Sequence, residues 1–282
     1  MVALATQQLL SALAFPIAKF GLTQIEPYTF AFFRFLISAT VLFTLVNLNR
    51  FPNPIEKKDY FKFLGLGLLI IPFNQTAYLV GQRMTSAGHG AILFATVPLW
   101  MFLTGMIHLK EKFVWRRGIG VLLGMIGVLI ILGGGAATFS TRYLWGDLIV
   151  LEAVLAWVYY SILGKPLVLK YGAFRVTAYS LAFGTLFYLP FGFYKALNFN
   201  YSGVSIGAWF SVLYYSLGIS VTAYILWYWL LKHMEATRLA VFNNIQPVIA
   251  SLVALFFFGE PIGPGLLIGG SIVLTGVLIT EI

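Results

Sequence analysis

Apolar residues come in long runs along this chain. Stretches of roughly twenty residues, the length an α-helix needs to cross a hydrocarbon core, recur at 3–22, 27–48, 60–81, 87–107, 114–133, 144–164, 174–194, 206–231, 238–258 and 262–280. The breaks carry residues that interrupt helices or suit water: Glu26-Pro27, Phe51 to Pro54, Thr85 to Gly88, Lys110 to Lys112, Gly133 to Arg142, Lys165-Pro166, Asn198 to Gly203, Lys232 to Glu235 and Gly259 to Pro264. The pattern predicts an all-α membrane protein with ten transmembrane helices. All the connections are short, so no soluble domain fits on either side, and any function must sit within the helices or at their ends. In Met1–Phe20 the first basic residue, Lys19, follows the apolar run, so this stretch reads as a first span and not as a cleaved signal.

Composition narrows the reading. Hydrophobic residues make up 60% of the 282 and charged residues 10%, against about a quarter charged in a soluble domain. That is too little charge to cover a water-facing surface. The net charge of +9 does not point to nucleic acid, because DNA- and RNA-binding domains gather Lys and Arg into a stripe on a soluble fold. Here the basic residues stand at the ends of apolar runs, where the positive-inside rule and anionic head groups read them. With the N-terminus inside, 13 Lys and Arg fall on the cytoplasmic side, against Lys19, Arg83, Arg142 and Lys195 opposite, with Arg34 inside a span. Both termini are therefore expected in the cytoplasm. Lack of a targeting extension fits a prokaryotic plasma (inner) membrane. The chain has no cysteine, which removes disulfides, thiolate metal sites and cysteine nucleophiles.

The chain also repeats itself. Tyr78, Met84, Pro98, Glu111, Gly120 and Gly127 are echoed by Tyr228, Met234, Pro247, Glu260, Gly269 and Gly276, and from Pro98 onward the offset holds at 149 residues. The repeats fall in 1–137 and 143–282, each with five spans. An odd number of spans forces the two copies to enter the membrane from opposite sides. The expected architecture is two inverted five-helix repeats around a central cavity, the arrangement by which many secondary transporters build two interconvertible states.

At these residues the chain resembles the drug/metabolite transporter superfamily, and within it the ten-span EamA type. The likeness rests on Lys19, Pro27 and Arg34 in the first two spans and on the paired segments Pro98 to Glu111 and Pro247 to Glu260, each followed by a glycine-rich last span. The resemblance covers essentially the whole chain. It implies a ten-helix inverted-repeat bundle and transport of amino acids, nucleotide-sugar-like solutes or other small metabolites, commonly outward in bacteria. One departure is that Leu13 and Ala14 occupy the neighbourhood where the family often has a Trp before its first-span Lys.

Polar residues inside the spans are the candidates for chemistry. Glu152 lies about eight residues, ~12 Å along a helix, past Leu144, near mid-membrane. A carboxylate at that depth needs a cavity or a partner. It is either a proton- or ion-coupling group or a protonated acid bonded to a neighbouring helix. Asn74, Gln75 and Tyr78 follow Pro72, while Asn243, Asn244 and Gln246 precede Pro247. Such groups form a substrate-binding ring or hold helices together through hydrogen bonds. Tyr159 and Tyr224 are the aromatic candidates for contact with a solute, the alternative being simple packing. Arg34 and Lys19 read as snorkelling or structurally paired residues in preference to anion grips. Gly118, Gly120, Gly124, Gly127, Gly265 and Gly269 have the small-residue spacing of close helix contacts, within the chain or in a homodimer.

Enzyme signatures are absent. His89, His108 and His233 are scattered, and neither HExxH nor a Walker Gly-Lys-Ser/Thr loop occurs. The sequence therefore predicts no catalytic residues, no metal site and no cofactor. It predicts a secondary transporter whose partners are a small solute and the bilayer. Rival readings are a non-transporting membrane subunit and an intramembrane enzyme. Because the chain has no native cysteine, single cysteines are clean probes: reagents added from one side should label a cysteine beside Glu111 or one beside Glu260, but not both, and labelling of both would end the inverted-repeat expectation.

Overall fold

The computed structural model describes residues 2–49, 51, 53–85, 87–131, 143–249 and 264–281. Gly133 to Arg142 and Glu260 lie outside them. Among the described residues every regular element is helical: α1 (Val2–Leu22), α2 (Pro27–Leu48), α3 (Lys57–Met84), α4 (Ala87–Ala95), α5 (Val97–His108), α6 (Trp115–Ile131), α7 (Leu144–Tyr171), α8 (Ala173–Leu197), α9 (Ile206–His233), α10 (Ala236–Phe242) and α11 (Pro264–Glu281). Six of these, α2, α3, α7, α8, α9 and α11, are long and apolar enough to cross a membrane, and shorter apolar stretches lie at Val2–Ala14 and Ile92–His108.

Local chemistry explains the ends. Glu26 caps α2 by accepting from the Thr29 backbone N–H at 3.1 Å, with Pro27 at the first helical position, where a missing N–H costs nothing. The break expected at Lys165-Pro166 does not occur. Helix α7 runs through Pro166 to Tyr171 and ends at Gly172, whose φ of +84° only glycine adopts without strain. A proline inside a long apolar helix is tolerated because neighbouring groups satisfy the freed carbonyl. The fourth expected span is two helices, broken at Thr96, whose hydroxyl bonds the Leu93 carbonyl at 2.5 Å just ahead of Pro98.

The chain divides into two compact units, one of residues 1–79 and 163–232, the other of residues 80–162 and 233–282. Each draws on both halves of the sequence. In the first unit α2 packs antiparallel on α8, where Tyr188 donates to the Tyr28 carbonyl at 3.0 Å and Thr185 to the Phe35 carbonyl at 3.4 Å. Helix α3 meets α8 through glycines, since a Cβ added at Gly67 would stand 2.7 Å from the Gly184 nitrogen. Tyr214 and Tyr215 of α9 donate to the Leu10 and Ala14 carbonyls of α1. At one end Asp59, fully buried, accepts from Lys62, Lys170 and the Tyr171 hydroxyl, tying the start of α3 to the end of α7. The Lys170 and then the Lys58 ammonium hold the adjacent exposed Glu56 carboxyl below its ordinary range. Whatever that pairing adds to stability is present above the ordinary carboxylate pKa and fades as pH falls through the lowered one.

The second unit is built on the contact of α6 with α11. A Cβ at Gly127 would lie 2.5 Å from the Gly269 carbonyl oxygen, and one at Gly276 would lie 2.7 Å from that of Gly120. As one helix ascends the other descends, so the pair is antiparallel. Gly124 makes room for the Asn244 side chain, whereas Gly118 faces only Phe102 at 3.9 Å. Gly120, Gly124, Gly127, Gly269 and Gly276 thus make close contacts within the chain. The repeated glutamate also has a local job: Glu111, just past a left-handed turn at Lys110, caps α10 by accepting from the Ala236 backbone N–H at 2.7 Å and the Thr237 hydroxyl at 3.0 Å.

A side chain at Gly127 or Gly269 must push backbone from backbone. Gly127→Leu and Gly269→Leu are each expected to lower stability by about 1–3 kcal/mol or more, while Gly118→Ala stays near neutral; denaturation of the purified variants in micelles measures this.

Candidate functional site

Arg34 is the centre of a buried polar cluster in the first unit. It sits seven residues into α2, roughly 10 Å from the helix start, and it does not snorkel: 7% of the residue is exposed. Its Nε donates to the Ser220 hydroxyl at 2.7 Å, Nη1 to Gln75 Oε1 at 2.9 Å and Nη2 to the Tyr224 hydroxyl at 3.4 Å. The rings of Phe35 and Tyr215 flank the guanidinium at 4.9 and 5.0 Å, close enough for cation–π attraction. Every one of these partners is uncharged. Among the described residues no carboxylate forms an ion pair with Arg34.

Two irregular helical stretches deliver those partners. Residues Leu69–Thr76 of α3, with Pro72 among them, and Tyr214–Ala223 of α9 are wound as π-helix. A π turn is wider than an α turn, re-aims side chains, and is found frequently at functional sites. The first stretch carries Asn74 and Gln75; the second carries Tyr215, Ser216 and Ser220 and is followed directly by Tyr224. The two side chains of the first stretch form a relay, in which Gln75 Nε2 donates to Asn74 Oδ1 while Gln75 Oε1 receives the arginine. On the other flank the Ser38 hydroxyl lies 2.5 Å from the Arg34 carbonyl and 3.1 Å from that of Ser216, fixing α2 against the wide turn of α9.

The sequence-derived candidates therefore separate into two groups. Asn74, Gln75 and Tyr224 join the Arg34 cluster, and Tyr78 is half-buried one turn further along α3. Glu152, Tyr159, Asn243 and Gln246 belong to the second unit. There Gln246 Nε2 donates to Asn243 Oδ1 at 3.2 Å, and the Tyr159 ring meets His108 edge-on at 5.7 Å. Glu152 lies exposed on the face of α7 that also carries Trp145 and Leu148, with no hydrogen bond or ion pair among the described residues. Among the described residues, no three His, Asp or Glu side chains gather as a metal site.

Sequence reasoning missed Ser220, Tyr215 and the central role of Arg34, along with Gln7 and Gln8, which are buried in α1 at 5% and 4% exposure. The signal was present for Arg34, the one basic residue well inside an apolar run. Nothing in the pattern could show that a serine 186 positions away and a tyrosine 190 positions away would meet it.

The model of the EamA-like transporter family matches residues 1–133 and again 144–282. The chain belongs to that family. A relative from Archaeoglobus fulgidus, an "Uncharacterized transporter", is 30% identical over 285 residues, covering 98% of this chain and 95% of its own. A "Probable terminal-alkyne amino-acid exporter" from Streptantibioticus cattleyicolor is 26% identical over 200 residues, 71% of this chain and 65% of the exporter. A solved structure described as "Crystal structure of protein" shares the fold, with a TM-score of 0.82 at 18% identity over 100% of this chain and 97% of that one. This EamA-type chain is thus a multi-pass membrane transporter with a small-molecule substrate.

Loss of the Ser220 acceptor leaves a charged N–H buried and unmade. Ser220→Ala is expected to destabilise the protein by about 1–3 kcal/mol, while Thr222→Ala, an exposed hydroxyl two residues on, should cost little; thermal melts of the two variants side by side provide the comparison.

Proposed function

We propose that this EamA-type chain is a secondary active exporter of small organic metabolites such as amino acids, working by alternating access between two inverted five-helix halves, residues 1–137 and 143–282. It resides in the plasma (inner) membrane with both termini cytoplasmic. The observation that carries this reading is the form of the α6–α11 contact. At the repeat offset of 149, Gly120 corresponds to Gly269 and Gly127 to Gly276, yet Gly120 touches Gly276 and Gly127 touches Gly269. Such an exchange, in which i meets the copy of j and j meets the copy of i, is the mark of a two-fold relation. Between antiparallel helices the axis runs across them, in the plane of the membrane, as an inverted repeat requires.

The amino-acid class is supported by the exporter named among the relatives. Asn74, Gln75, Tyr78, Tyr159, Tyr224, Asn243 and Gln246 contact the solute in this reading, and Glu152 couples its movement to a proton or cation, for which its depth in α7 and its lack of a described partner speak. No cofactor takes part. Purified protein in proteoliposomes should move at least one member of a metabolite panel without added nucleotide, driven by an imposed ion gradient. Glu152→Gln should flatten the pH dependence of that flux; an unaltered rate and pH profile would remove glutamate coupling, and no flux of any solute would favour a non-transporting subunit.

A further inference from the structure

We infer that Arg34 is the docking point for the carboxylate of the transported solute, so that the substrate class is an organic acid or an amino acid held by its acid end. The inference deepens the carrier reading and depends on it only for what happens after binding. A guanidinium presents five N–H donors. Three are placed on Ser220, Gln75 and Tyr224, the last at a long 3.4 Å. One N–H on each terminal nitrogen has no acceptor among the described residues, and these two nitrogens are the fork that a carboxylate accepts bidentately.

Charge points the same way. The positive charge is almost wholly buried and surrounded by a hydroxyl, an amide, a phenol and two ring faces, which solvate it without neutralising it. A lone cation among membrane helices is costly and marks a site by default. Salt bridges among the described residues involve other cations, so the protein spends none of its described carboxylates here. A solute that brings its own carboxylate supplies the missing charge, and the half-buried Tyr215 ring beside the guanidinium suits an apolar or aromatic skeleton. The π-wound stretches of α3 and α9 add a means of release, because the partners of the arginine stand on the least regular parts of their helices.

Thermal-shift titration of purified protein in micelles tests this with phenylacetate and L-leucine, their amide counterparts phenylacetamide and L-leucinamide, which lack the carboxylate, and inorganic phosphate. At least one of the two acids should raise the melting temperature saturably while its counterpart does not. Arg34→Gln should weaken that binding at least about tenfold. Arg34→Lys, which keeps the charge but not the fork, should fall between, and Lys112→Gln, a charge loss at an exposed position, should match the unmodified chain. Arg34→Lys also keeps the question open to decision should Arg34→Gln fail to fold. Equal shifts with acid and counterpart, binding retained in the folded Arg34 variants, a response to phosphate alone, or no response to either acid would each overturn the inference. Acid binding through Arg34 without flux in proteoliposomes would overturn the carrier reading alone.

Discussion

In lipid, every backbone polar group has to be satisfied inside the protein, and much of this structure follows from that constraint. The backbone meets it with helices. Where the helices depart from regular winding, in the π turns of α3 and α9, the side chains set there are polar: Asn74, Gln75, Ser216 and Ser220. These groups then have to be satisfied in turn, and Arg34 brings several of them into one network. The same departure from regular winding therefore accompanies a buried polar cluster in the first unit.

The second unit answers a different requirement. Lipid tails are as apolar as leucine, so helices gain little from merely hiding apolar surface and must instead come close. Gly120, Gly127, Gly269 and Gly276 allow that approach between α6 and α11. Glu111 then fastens the start of α10, using a carboxylate on orphan backbone donors at a helix N-terminus, where its charge is favoured. Of the motif that relates the two sequence halves, the glycines are thus packing residues and Glu111 a capping one. The motif identifies the family well and is silent about the solute. The chemistry around Arg34 is by contrast assembled from positions that no motif links.

Much of the architecture is legible in the chain. Hydropathy alone places α2 at 27–48 and starts α9 at residue 206, because the thickness of the hydrocarbon layer fixes the length of a span. The same measure fails at Pro166: hydropathy and breaker residues describe a segment in isolation, whereas the persistence of α7 through a proline depends on neighbours. Asn74, Gln75 and Tyr224 are found from sequence as polar residues out of place. Ser220 is not, since a serine in an apolar run ordinarily bonds back to its own helix, as Ser180 does to Val176.

The sequence by itself determined that this is a multi-span membrane protein made of two related halves, because span length, charge placement and a repeat offset are one-dimensional properties. Only the tertiary structure decided that Arg34 is buried among neutral partners, that Glu152 stands exposed, and that the repeated spacing of glycines serves an antiparallel contact within the chain. Those outcomes rest on groups as far as 190 residues apart arriving at hydrogen-bond distance. Nothing local to Arg34 in the sequence encodes which side chains will meet it, so only the packed helices could show it.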